Sequence, residues 1–161
     1  MKENKEFKEL FNEDMIYFDV EADNWKELLE KASDILYEKG YVKRSYKKAL
    51  LNREKEYPTG LPTEGIQVAL PHTYCEHCLK PTIMVMNLRH IVYFKEMGNG
   101  INDVPVQLVF VIVLTDSSHE VGTLQKFMEM FTRKGVLIEL KNTKTSKEAI
   151  DILNREFYKE D

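Results

Sequence analysis

The sequence predicts one α/β domain, a β-sheet covered by helices, with α+β as the alternative arrangement. Three observations carry that expectation. Helical stripes bracket a central run of strand-like segments, in the order helix, helix, strand, strand, strand, helix, helix. Val106 to Leu114 is nearly all apolar and β-branched, as a strand buried on both faces must be. The chain has 161 residues, and a chain of about 150 buries roughly 68–70% of its unfolded surface in one core.

Residues 1–14 are dense in Lys and Glu and read as a charged extension ahead of a domain over residues 15–161. Within that extension Phe7, Leu10 and Phe11 fall at i, i+3, i+4, enough for one helical turn. Met15 to Val20 reads as a short strand. Asp23 and Asn24 offer N-caps to a helix with Trp25, Leu28, Leu29, Ala32, Ile35 and Leu36 on one stripe, and Gly40 is placed to end it left-handed. Ser45 caps a second helix running towards Glu56, which Pro58 stops. Tyr57 to Gly65 holds two Pro and two Gly and reads as a constrained loop.

Ile66 to Leu70 is a strand ended by Pro71, and Thr82 to Leu88 is another, rich in Ile, Met and Val. Ser117 and Glu120 have the capping-box spacing ahead of a helix with Val121, Leu124, Phe127, Met128 and Phe131 inward. Gly135 to Leu140 has strand composition between helical neighbours. Thr145 and Glu148 repeat the capping-box spacing and open a last helix through Ile150 and Leu153.

Composition excludes several classes of function. Apolar residues make up 43% and Cys number only two, which is neither a disordered chain nor a disulfide-stapled miniprotein. A net charge of −4 argues against a general nucleic-acid binder, which needs a basic face. The longest apolar run, Leu108 to Leu114, is seven residues, against roughly 20 for a membrane helix. Two Cys and an N-terminus without an apolar stretch predict a reducing, cytoplasmic location.

Three residues break the pattern around them. His72 follows Pro71 at a strand end, where α/β sheets build their sites; the plain alternative is a loop histidine. Arg53 rides the apolar face of its helix with Tyr46, Ala49 and Leu50, so it needs an anionic partner such as Glu64 or a bound phosphate, unless it snorkels to solvent. His119 lies in the first turn of the helix after Ser117, at a ready anion site, or else is simply exposed there. Cys75-Glu-His77-Cys78 has zinc-knuckle spacing, but no other Cys supplies a second ligand pair. His90, just past a strand, reads as solvated, and Gly98-Asn-Gly100 is a turn without phosphate-loop spacing. No metal and no cofactor are expected.

Together Arg53-Glu54, the Tyr57-Pro-Thr-Gly60 loop, Val68-Ala-Leu-Pro-His72-Thr73 and His119 resemble the enzyme IIA domain of the fructose/mannitol type, from the bacterial sugar phosphotransferase system. The loop and the Pro-His segment look most like the galactitol-type branch. The resemblance covers about residues 15–158 and implies a mixed sheet with helices on its faces. It implies that His72 is the phosphorylated nucleophile, that His119 and Arg53 complete the site, and that Gly135–Leu140 is helical. Its implied partners are HPr as phosphoryl donor and a cysteine of the IIB component as acceptor, with no membrane insertion. A regulatory IIA-like module that binds a partner according to its phosphorylation state is the alternative, and a small zinc or thiol protein built on Cys75 and Cys78 the third reading.

Overall fold

The structure, a computed structural model, describes residues 10–159. Five strands form one mixed sheet. They are β1 (Ile16–Val20), β2 (Gly60–Leu61), β3 (Gln67–Ala69), β4 (Thr82–Lys95) and β5 (Asp103–Val113), in the spatial order β1-β4-β5-β3-β2. β1 runs parallel to β4 and β3 parallel to β5, whereas β4 with β5 and β2 with β3 are antiparallel. Helices α1 (Trp25–Glu38) and α2 (Tyr46–Glu56) cover one face. The other carries α3 (Glu120–Thr132), α4 (Val136–Lys141) and α5 (Ser146–Phe157).

Strand periodicity divides the core between those faces. Leu108, Phe110 and Ile112 of β5, with Ile83 and Val85 of β4, face α3–α5. Val109, Val111 and Val113, with Met84, Met86 and Leu88, face α1 and α2. Further down β5 the parity inverts: Val104 and Val106 join the α1/α2 cluster. Gln107 is where one residue of phase is lost, and the register shifts there against both β4 and β3. Phe11, Phe110, Phe127, Phe131 and Phe157 form an aromatic cluster on the α3–α5 side, with Phe127 and Phe157 ring centroids 4.9 Å apart.

Several expectations hold. Asn24 accepts from the Glu27 amide at 2.8 Å and caps α1, and Gly40 ends that helix with φ of 81°. Thr145 caps α5: its hydroxyl accepts from the Glu148 amide at 3.2 Å and donates to the Glu148 carboxylate at 3.0 Å. Others need correction. Phe7 lies outside the described residues. Leu10 and Phe11 make no helical turn; both are buried, and the Leu10 carbonyl accepts from the Ile83 amide instead. Ser45 makes no capping bond, because its hydroxyl meets Nδ1 of His77 at 2.8 Å. The constrained loop contains strand β2. Val136–Lys141 is a helix, as the resemblance implied and against its strand composition. β4 runs past Leu88 to Lys95, so exposed His90 lies within a strand. Three consecutive exposed residues, Arg89 to Ile91, hide the alternation that Val92 and Phe94 resume.

The α3 stripe is also rotated from its expected position. Val121 is 66% exposed and Met128 36%, whereas Thr123 and Met130 are buried. Nor do Ser117 and Glu120 form a capping box. Ser117–His119 is a 3₁₀ turn capped by Asp116, whose side chain accepts from the Ser118 amide at 2.9 Å.

The short β2 is locked by the close approach of its backbone to β4. Gly60 pairs with Ala69 and its carbonyl accepts from the Met97 amide at 2.8 Å. A Cβ on Gly60 would stand 2.7 Å from the Lys95 carbonyl oxygen, a backbone atom that cannot rotate away. Gly60→Ala should therefore lower stability by roughly 1–3 kcal/mol, seen as a lower urea midpoint. A variant as stable as its parent would show that β2 yields freely.

Candidate functional site

Pro71 has no amide hydrogen, so β3 ends before it. The chain nevertheless stays on the sheet. The Pro71 carbonyl accepts from the Ile112 amide at 2.9 Å, and His72 bridges to Ile112 as one more parallel rung. His72 is 9% exposed, and its Nδ1 donates to the Leu70 carbonyl at 2.7 Å. That bond fixes the ring and its tautomer, and it directs Nε2 away from the strand. Nε2 lies 3.2 Å from Oε1 of Glu120, the first residue of α3.

Beside it opens a cleft of about 410 Å³, lined by Arg53, Tyr57, Thr59, His72, Asn99 and Leu124, among others. Arg53 does not pair with Glu64, which is exposed in its loop. Its guanidinium lies over the Tyr57 ring at 4.2 Å and the Tyr74 ring at 5.2 Å. Stacking holds an Arg in place while leaving its N–H fork for an oxyanion. Among the described residues no carboxylate lies within ion-pair distance of it.

Glu54, next to Arg53, is not among the residues that line the cleft. Its carboxyl is buried and receives the Thr59 amide at 2.7 Å and the Thr59 hydroxyl at 2.8 Å. The Thr59 carbonyl in turn accepts from the Leu70 amide at 3.3 Å, and Leu70 holds His72. A continuous hydrogen-bond path thus runs from α2 through the Pro-Thr-Gly loop to the histidine ring. Burial pushes the Glu54 carboxyl up from 4.5 to about 7, against the pull of the Thr59 donors and Arg53.

His119 caps α3 one residue ahead of Glu120, and its carbonyl accepts from the Thr123 hydroxyl at 2.8 Å. Among the described residues lining the cleft His119 does not figure; Arg53 and His72 do, and Glu120 faces His72 from a small cavity alongside. That cavity is also lined by Cys75. Burial raises the Cys75 thiol, as do the Glu120 and Asp116 carboxylates, and burial pushes Cys78 to about 11. The two thiols pack against opposite core clusters. His77 is held by Ser45. Among the described residues no group of three or more His, Cys, Asp or Glu could hold a metal ion.

The sequence reading missed Glu120 as a site residue, because capping-box spacing already explained it. It also missed Tyr57 and Tyr74, whose exposed rings flank Arg53, and, although it read Gly98-Asn-Gly100 as a turn, it did not place that turn at the site, where Asn99 and Gly100 wall the cleft. An imidazole nitrogen, an uncommitted guanidinium and a helix N-terminus together can receive a mobile anionic group.

Comparison with known proteins gives the family and the fold. A family model described as phosphoenolpyruvate-dependent sugar phosphotransferase system, EIIA 2, matches residues 9–156. The galactitol-specific EIIA component of Escherichia coli strain K12 is 28% identical over 99 residues, 62% of this chain and 65% of that protein. The chain thus spans just under two thirds of that relative's length. The solution structure of the mannitol-specific cryptic phosphotransferase enzyme IIA CmtB from Escherichia coli superposes with a TM-score of 0.73 at 25% identity, covering 93% of this chain and 99% of that one. The IIA chain in a complex of enzyme IIAMTL and phosphorylated enzyme IIBMTL from Escherichia coli gives 0.72 at 24% identity, over 89% of this chain and 96% of that one. Among the described residues no helix is long and apolar enough to cross a membrane.

The Glu54 carboxyl carries a pH dependence. Its folded-state pKa lies above its unfolded value, so between about 4.5 and 7 the folded chain binds the extra proton. Its contribution is complete below that window and is lost as pH rises through about 7. A shift of that size corresponds to about 3 kcal/mol. Denaturant unfolding from pH 4.5 to 8 should show stability falling across the window, and Glu54→Gln should flatten the curve. A Glu54→Gln curve as steep as the parent's would assign the fall to another group.

Proposed function

Because this chain belongs to the EIIA 2 family of the phosphoenolpyruvate-dependent sugar phosphotransferase system, we propose that it is a phosphoryl carrier acting through His72. The donor is phosphohistidine HPr and the acceptor a cysteine of a IIB component. The galactitol-specific relative supports a sugar of that type as the one the system moves. The observation that carries the reading is the ring of His72: Nδ1 is tied to Leu70, and Nε2 is the nitrogen left to react.

Transfer is in line. The Nε2 lone pair attacks phosphorus, the phosphorus–nitrogen bond of the donor breaks, and the donor imidazole leaves with the electron pair. In the second step a cysteine thiolate attacks the same phosphorus and His72 is the leaving group. Such a transition state asks mainly for positioning and for charge stabilisation on the three equatorial oxygens. Arg53, stacked and uncommitted, supplies a bidentate cation. His119 precedes Glu120 at the start of α3, outside the cleft lining, and its part in steadying the group rests on the family resemblance. Imidazole is nucleophilic near neutral pH, which is why one histidine can accept and release the group without a further activator.

Incubation with labelled phosphoenolpyruvate, enzyme I and HPr should give one acid-labile, base-stable phosphate, and His72→Ala should abolish it with the fold intact. Label retained at the parent's rate would refute the reading. Arg53→Ala and His119→Ala should each slow single-turnover transfer by about 10²–10³ without eliminating the phosphorylated species. Replacing Cys75 and Cys78 together by Ser should leave both transfer and melting temperature nearly unchanged. Loss of stoichiometric zinc with a fall in melting temperature would instead make those thiols a metal site.

A further inference from the structure

The Glu120 carboxylate lies on the nitrogen that must react. Nδ1 of His72 stands 2.7 Å from the Leu70 carbonyl, which can only accept, so Nδ1 carries a hydrogen. Nε2 stands 3.2 Å from Oε1 of Glu120, and an ionised carboxylate also only accepts. Both contacts are satisfied together when one proton sits between Nε2 and Oε1. In that arrangement Nε2 has no free electron pair to offer.

Resting on the carrier reading above, we propose that Glu120 is a catalytic carboxylate that latches unphosphorylated His72 and, once the group has arrived, repels it and so keeps the phosphohistidine ready to discharge. Its position serves both roles. The start of α3 favours a negative charge there, and the side chain, 38% exposed, has room to swing aside. It lines one small cavity with His72 and Cys75, whose thiol is raised first by burial and then by Glu120 and Asp116. Glu120 is the carboxylate that lines this cavity, and Arg53 faces the transferring group from the cleft.

On loading, the shared proton passes to Oε1 and then to solvent as the carboxylate moves out. The freed Nε2 pair forms the nitrogen–phosphorus bond, the donor's bond breaks, and the donor imidazole takes up a proton. On discharge the nitrogen–phosphorus bond breaks with its pair returning to Nε2, which is reprotonated and recaptured by Glu120. Loss of Glu120 removes a favourable contact from the free form and a repulsion from the phosphorylated form. The two effects have the same sign.

The test equilibrates the parent, Glu120→Gln, Glu120→Ala and Glu120→Asp with labelled phospho-HPr. It measures the transfer equilibrium constant, the rate of passage to IIB, and the ¹⁵N shifts of the His72 ring. The Gln and Ala variants should shift the equilibrium towards phospho-His72 by about tenfold, the size of a partly screened charge beside a doubly charged group. They should also discharge more slowly and show the neutral Nδ1–H ring, while Asp should restore the parent's values. An equilibrium constant that is unchanged or falls, in a parent labelled on His72, overturns the proposal alone. A parent that takes up no label overturns the carrier reading and the proposal with it.

Discussion

Everything at this site hangs on the hydrogen bond from Nδ1 of His72 to the Leu70 carbonyl. A histidine at a strand end could turn in several ways, and only one gives a nitrogen of fixed tautomer facing a cleft. The bond works because Leu70 is itself immobile. It is fully buried, and its amide is held by Thr59, which the buried carboxyl of Glu54 grips at two points. The sheet completes the support, with the Pro71 carbonyl and His72 still on the β5 ladder after β3 has formally ended. The Pro-Thr-Gly segment is thus the rail that positions the ring, which is why Gly60 must lie so close to the β4 backbone.

Much of this was legible in the sequence, for local reasons. The α1 cap at Asn24, the left-handed Gly40 and the Thr145 cap of α5 are signals within a few residues, and each folds as read. The all-apolar β5 declared itself as a strand buried on both faces. His72 and Arg53 stood out because each breaks the pattern of its own element, and both line the cleft.

What escaped depends on partners distant in sequence. Ser45 looks like a cap, but His77, brought near by the fold, takes its hydroxyl. Glu120 looks like the reciprocal partner of Ser117, yet its carboxylate meets His72, 48 residues away in number. Arg53 called for an anion and found two tyrosine faces, an answer that helical spacing cannot supply. The rotated face of α3 has a similar origin. A stripe of Val121, Leu124 and Met128 and one containing Thr123, Phe127 and Met130 are both apolar enough to face inward, and the ring cluster around Phe110 selects the second.

The strand pairings also set an order of assembly. β4 and β5 are consecutive, antiparallel and joined by a short turn, so their ladder closes a small loop at small entropic cost. β3 spans three residues and joins β5 in parallel, across the whole of β4. Such a non-local rung forms after the hairpin. The strand that leads to His72 is therefore armed late: it lies between β5 and the edge strand β2, and the reactive ring takes its place only once both have closed around it.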